Sequence, residues 1–261
     1  QRGLLARRFP TVEHGLQEAH TALSRVCRDV RFVPIPSEQR AAGAYRLALE
    51  SLFSAKPYAI RWLRSKAFGQ ALEELLQRHR FDVVHFDTIS LAPYLRFFPT
   101  TKTVLDHHNI ESHLMLRRAG QDGNPLKRLY FFQEGMKLER YERKVCPLFS
   151  AHITCSELDS QRLMNIAGRV AVREIPNGVD VEYFSPTSDR EEPFRLIFAG
   201  GMNWYPNRSA ISFFARDVWP RLKQVVPNVS MDVVGFDPPP ILHELAQRDT
   251  SFRVHGFVDD V

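Results

Sequence analysis

The sequence predicts an open α/β protein with parallel, doubly wound sheets. Three observations carry that prediction. Short apolar runs alternate along the chain with longer segments of helical spacing. Several of the runs are nearly continuous in Val, Ile, Leu and Phe, as strands of a parallel sheet buried on both faces must be. Strand, helix and strand recur in that order, which is how helices come to cover both faces of one sheet.

The runs expected as strands are, in order, 30–35 (VRFVPI), 82–87 (DVVHFD), 102–106 (KTVLD), 151–155 (AHITC), 170–175 (VAVREI), 195–200 (RLIFAG), 229–235 (VSMDVVG) and 251–256 (SFRVHG). Between them the apolar spacing is helical, as at Ala71, Leu72, Leu75 and Leu76. Segment 130–144 (YFFQEGMKLERYERK) reads as a long helix dense in charge and aromatics. Its glutamates dilute the basic residues, so a solvated face opposite a core face is the expected role, ahead of contact with a membrane surface. Segment 175–187 (IPNGVDVEYFSPT) is rich in turn-forming Pro, Asn, Gly and Asp, and the polar run SDREEP follows it. The expected division is therefore a first domain at 1–176, a linker at 177–193 and a second domain from 194 to 261.

Composition narrows the partners. The chain has 261 residues, enough for one large domain or two smaller ones, and carries a net charge of +5. Its isoelectric point near 9.2 suits anionic partners. The basic residues are dispersed, and neither zinc-finger spacing nor an aromatic RNA-binding signature is present, so no nucleic acid is expected. Cys27, Cys146 and Cys155 form no CxxC pair, and an odd count speaks against a disulfide scaffold and for a reducing cytoplasm. No run reaches the roughly 18–20 apolar residues that span a bilayer, and the start shows no signal-peptide pattern. Gln1 at the beginning, and a motif running straight into Val261, give the expectation that both ends are cut.

Chemistry concentrates at the strand ends, where ligands of open α/β sheets bind. In 104–112 (VLDHHNIES), His107, His108, Asn109 and Glu111 follow an apolar strand. Asn109 is placed to cap the next helix. The helix start offers free N–H groups to a phosphate or a developing anion. A metal is not expected: HExxH is absent, and adjacent strand histidines point to opposite faces. His85 lies inside the 82–87 strand, either as a buried, hydrogen-bonded histidine or as a site residue, with Asp87 near the strand's carboxyl end. In 198–208 (FAGGMNWYPNR), Gly200 and Gly201 end a strand, and a helix is expected near Pro206. This is neither GxGxxG nor a Walker loop. Gly235 and Gly256 end two further strands, and the three glycine ends form either tight turns or one pocket.

The order of these segments, DVVHFD, VLDHHNIES, AHITCSELD, IPNGVDVEYFSP, LIFAGGMNWYPN, MDVVG and VHGFVDD, resembles glycosyltransferase family 4, and in particular the bacterial sugar transferases of exopolysaccharide and surface-glycan synthesis. IPNGVDVEYFSP is similar to the linker between that family's two Rossmann-like domains. The resemblance implies the GT-B fold, with both domains incomplete, and a cleft between an acceptor-side and a donor-side domain. It implies transfer of a sugar from a nucleotide-sugar (UDP- or GDP-sugar) to a glycan or lipid-linked acceptor, with retention, no metal and no cofactor beyond the donor itself. Peripheral contact with the inner membrane face fits the same reading.

By the same resemblance, His108 matches the histidine near the transferred sugar, with His107, Asn109, Glu111 and His85 on the acceptor side. The first donor-side loop contains Gly200, Gly201, Asn203, Asn207 and Arg208, with Gly235 on the next strand end. Gly256, Phe257, Val258 and Asp259 match the stretch that meets the nucleotide base. The chain departs from the family in lacking the usual Arg and Lys on the donor diphosphate; the expected substitute is either Arg208 or a Lys from a region beyond these residues. It also lacks the spaced glutamate pair after a glycine-rich loop. The expectation is that these 261 residues alone neither transfer sugar nor fold well. The alternatives are a non-catalytic partner of the same fold in glycan assembly, and an unrelated Rossmann-type ligand-binding protein.

Overall fold

The computed structural model describes residues 12–39, 42–185 and 192–258. The chain divides into two compact units, one ending at Val179 and the other starting at Asp180. In the first, among the described residues, four helices, α1 (Val12–Leu23), α2 (Gly43–Leu52), α3 (Tyr58–Trp62) and α4 (Lys66–Arg78), precede strand β1 (Val83–Phe86). A 3-10 stretch (Ile89–Phe97) leads to β2 (Lys102–His107), followed by α5 (Glu111–Gln121) and α6 (Pro125–Val145). A 3-10 turn (Cys146–Leu148) then enters β3 (Ala151–Thr154), before α7 (Glu157–Ala167) and β4 (Val172–Glu174). The four strands lie in the order β1-β2-β3-β4, all parallel.

This unit's core runs from Ile60 through Phe86, Leu105 and Leu138 to Leu163. Phe86 meets Phe149 edge to face, with ring centroids 5.2 Å apart. Each such side chain contributes about 1.5–3 kcal/mol on leaving water, and aromatic pairs add to that through edge-to-face geometry.

The 30–35 run is not a strand. Pro34 and Pro36 lack the N–H groups that a ladder needs. Arg31 instead reaches α4, donating to the Glu74 carboxylate at 2.9 Å and the Ala71 carbonyl at 3.4 Å.

Helix α6 also departs from expectation. Its charges are not all on a solvated face, since Glu134, Lys137 and Glu142 are buried. Each has partners that offset the cost of desolvation. Lys137 donates to Glu134 at 2.9 Å and to the Ser51 carbonyl, while the Tyr58 N–H donates to Glu134 at 2.6 Å. The pair thereby fastens the α2–α3 connection onto α6.

The second unit has β5 (Arg195–Ala199), α8 (Tyr205–Phe213), a π-turn (Phe214–Val218), α9 (Trp219–Val225), β6 (Ser230–Val234), α10 (Pro240–Arg248) and β7 (Phe252–Gly256). Its parallel sheet has the order β5-β6-β7. Trp219 packs edge-on against Phe252 at 5.1 Å, and its indole N–H donates to Asp249 at 3.0 Å. On the other face of the sheet, Asp232 accepts from Arg253, Arg195 and His255. Arg253 first, then the other two, hold its carboxyl well below the usual carboxylate range. One carboxylate thus ties all three strands.

Candidate active-site residues at the strand ends

Strands β1, β2 and β3 are parallel, so their carboxyl ends share one edge. Asp87 follows β1, His108 follows β2 and Cys155 follows β3. His108 Nε2 lies 3.0 Å from Asp87 Oδ1, and the two side chains are 59% and 72% exposed, so both stay open to a ligand. The Cys155 thiol donates to the His108 carbonyl at 3.4 Å, which restrains the backbone that carries the imidazole. Glu111 lies close by, and burial pushes its carboxyl upward while His108 pulls it down.

His107 points the other way, as strand alternation requires. It is buried, and its Nε2 lies 3.0 Å from His152 Nδ1. His152 Nε2 in turn lies 3.0 Å from the Cys146 carbonyl. A carbonyl only accepts, so His152 carries its proton on Nε2, and His107 donates from Nε2 to the free lone pair on Nδ1. Burial, followed by the neighbouring His152, pushes His107 down to about 3, so the chain of bonds stays neutral at physiological pH. His107 is therefore a core residue, buried against His152.

His85 is not buried. Its side chain is half-exposed on edge strand β1, with Nε2 3.4 Å from Asp106 Oδ2. The buried reading assumed a strand covered on both sides; β1 has a neighbour only at β2 among the described residues.

Asn109 does not cap the helix. Helix α5 starts at Glu111 with Ile110 at the cap position, and no side chain of that residue can serve. Glu142 of α6 does the work from another helix. It accepts from the Ser112 N–H at 3.1 Å and from the Ser112 hydroxyl. The sequence carries no local sign of this, because the partner lies 30 residues away. Asp87 was more accessible to sequence reasoning: it follows an apolar strand just as His108 does.

In the second unit, Gly200, Gly235 and Gly256 meet at one edge. The Gly200 N–H donates to the Val234 carbonyl at 3.0 Å, and the Gly235 N–H to the Gly256 carbonyl at 2.6 Å. A Cβ on Gly235 would stand 1.9 Å from the Gly200 carbonyl oxygen. That glycine serves close backbone packing between strand ends. Past Gly201, Asn203 is exposed, and the Asn207 amide donates to the Gly201 carbonyl at 3.1 Å. Helix α8 has Pro206 in its first turn and no side-chain hydrogen bond from its cap residue Trp204, and its start carries the positive end of the helix dipole.

Arg208 points at protein oxygens. It donates to the Met202 carbonyl at 2.9 Å, to the Asp237 carbonyl at 3.1 Å and to the Asp237 carboxylate. It thus clamps the β5 loop to the β6 loop, where Asp237 holds a φ of 58°. Phe257 is exposed and Val258 half-buried after β7. Asp259 lies outside the described residues.

The model of Glycosyltransferase Family 4 matches residues 22–183, more than half of the chain. The chain belongs to that family. No curated protein sequence matches it significantly. Among solved structures, it is similar to TarM with a TM-score of 0.52 at 10% identity, over 72% of this chain and 36% of that one. A weaker likeness, with a TM-score of 0.47 at 14% identity over 74% and 37% of the two chains, is to the pneumococcal O-GlcNAc transferase GtfA solved with UDP and GlcNAc. The chain spans little more than a third of the length of these structures. The fold is that of a GT-B glycosyltransferase piece, a mixed α/β arrangement with two parallel sheets. Among the described residues of this family member, no helix is long and apolar enough to cross a membrane.

Proposed function

We propose that this protein transfers a sugar from a UDP- or GDP-sugar to a glycan or lipid-linked acceptor, with retention of configuration, in bacterial polysaccharide synthesis. The observation that carries the reading is family membership across 22–183 together with an exposed His108, paired to Asp87, on the carboxyl edge of a parallel sheet. The work takes place in the cytoplasm, at the inner face of the plasma membrane, for which the basic balance is the support. The transfer step draws on no metal ion.

On this reading His108 hydrogen-bonds the donor sugar or adjacent acceptor groups, and Asp87 fixes its ring. The start of α8, beside Gly200, Gly201, Asn203 and Asn207, receives donor phosphate at the positive end of the helix dipole. Arg208 serves that site by holding its loops together. The stretch from Gly256 through Phe257 and Val258 receives the base. Catalysis is positioning plus stabilisation of an oxocarbenium-like state and its nucleoside-diphosphate leaving group.

The test is a donor screen on the protein as its gene encodes it, reading release of UDP or GDP and transfer to an acceptor extract. With a turning-over donor in hand, His108→Ala is expected to lower kcat/KM on the order of 10²-fold. Its side chain is exposed, so stability should move by less than about 0.5 kcal/mol. Full turnover in that variant would remove His108 from the mechanism. Asp87→Asn keeps the shape and removes the charge; kcat should fall roughly tenfold, with KM for the donor little changed. An unchanged kcat would make the Asp87–His108 pair an ordinary surface contact. Binding of no nucleotide-sugar by the encoded protein would instead favour the non-catalytic partner of the same fold.

A further inference from the structure

His107, His152 and Cys146 form a buried cluster behind the strand end that carries His108. All three residues are at most 3% exposed. One ligand atom from each lies within 4.8 Å of the others. Two imidazole nitrogens and a thiol sulfur are the donor set of a borderline-soft divalent ion, above all zinc.

The geometry of the two imidazoles sharpens this. His152 gives its Nε2–H to the Cys146 carbonyl, which leaves Nδ1 as a lone pair facing the cluster. Metal-bound histidines are held in this way, with the far nitrogen donating to a carbonyl and so fixing ring and tautomer. The facing nitrogens of His107 and His152 are 3.0 Å apart. Two tetrahedral zinc–nitrogen bonds of about 2.0–2.1 Å set them roughly 3.3 Å apart. The ring centroids are 5.3 Å apart, so the two nitrogens point at each other; to bind one ion the rings part by a few tenths of an ångström and turn until both lone pairs converge on it.

We propose that His107, His152 and Cys146 bind one zinc ion, with a water molecule in the fourth tetrahedral position, at a site that joins β2, the 3-10 turn and β3. On binding, the Cys146 thiol gives its proton to solvent, and the His107 proton moves from Nε2 to Nδ1. The ion replaces the hydrogen bond between the rings. A buried site of this kind is loaded as the chain folds. The proposal is independent of the sugar-transfer reading, since none of the three side chains faces the Asp87–His108 edge.

The test uses the full chain expressed in zinc-replete medium, desalted and analysed for metal by mass spectrometry. One equivalent of zinc per chain is expected. Cobalt(II) loading should then give tetrahedral d–d bands and a thiolate charge-transfer band in the near ultraviolet. The Cys27→Ser/Cys155→Ser double variant should keep that band, which assigns it to Cys146. Cys146→Ser should lose it, with retained circular dichroism. If that variant fails to fold, the double variant still decides the matter. Substoichiometric zinc together with no thiolate–cobalt band would overturn the proposal and leave the cluster as a hydrogen-bonded pair.

Discussion

Gly235→Ala is expected to unfold or severely loosen the second unit. The residue sits at φ 147°, a conformation that L side chains rarely adopt, and the added methyl would lie 1.9 Å from the Gly200 carbonyl oxygen. Backbone stands on the other side of the clash, so no side chain can swing away. Strain at such a φ costs on the order of 1–3 kcal/mol, and overpacking adds about 1–3 kcal/mol more. Urea or thermal unfolding should therefore show a loss of about 3 kcal/mol or more. Gly256→Ala is the control. It also has positive φ, at 72°, but a Cβ there meets nothing within 4 Å. Its cost should be only about 1–2 kcal/mol, the ordinary penalty of a left-handed L-residue. Equal effects at the two positions would show that conformation, and not the approach of Gly200, decides.

Glu142→Gln is expected to stabilise the first unit above neutral pH and to change little in acid. Burial pushes the Glu142 carboxyl up to about 7, against the pull of its Ser112 bonds. The folded state therefore holds this proton in a range where the unfolded chain, near 4.5, has released it. Stability falls as pH rises from about 4.5 to about 7, because the native state there binds more protons, and it levels off above. Across that window the loss is about 3 kcal/mol. Glutamine keeps an acceptor for the Ser112 N–H and cannot ionise, so the variant should lack this slope. Glu142→Ala should instead destabilise at every pH by about 1–3 kcal/mol, because the buried N–H and hydroxyl of Ser112 lose their acceptor. Denaturant midpoints at pH 5 and pH 8 separate these outcomes. A Glu142→Gln protein less stable than the parent at pH 8 would mean that the ionised carboxylate is favoured by the start of α5.

The parallel sheets were legible in the sequence. Runs such as 102–106 and 229–235 mark strands, and glycines mark strand ends, but the expectation of burial on both faces holds less well: only alternate residues of 102–107 are buried, and Asp232 puts a charge cluster on one face of the second sheet. The family order of segments was equally local, and it led to His108. The run at 30–35 is apolar enough for a strand but does not form one, because Pro34 and Pro36 remove ladder donors.

What the sequence alone could not determine was pairing across distance. Nothing local says that Glu142 caps a helix beginning 30 residues earlier, displacing the cap expected of Asn109. Nothing says that His107 turns inward to His152 while His108 turns outward to Asp87, although alternation requires that the two part company. The family resemblance offered Arg208 as a cation for the donor phosphate; the fold directed its guanidinium to Met202 and Asp237. The physical reason is common to all of these. Periodicity and turn chemistry act between neighbours along the chain and fix the elements. A buried charge or donor must find a partner wherever packing brings one, and only the tertiary structure decides which residue that is.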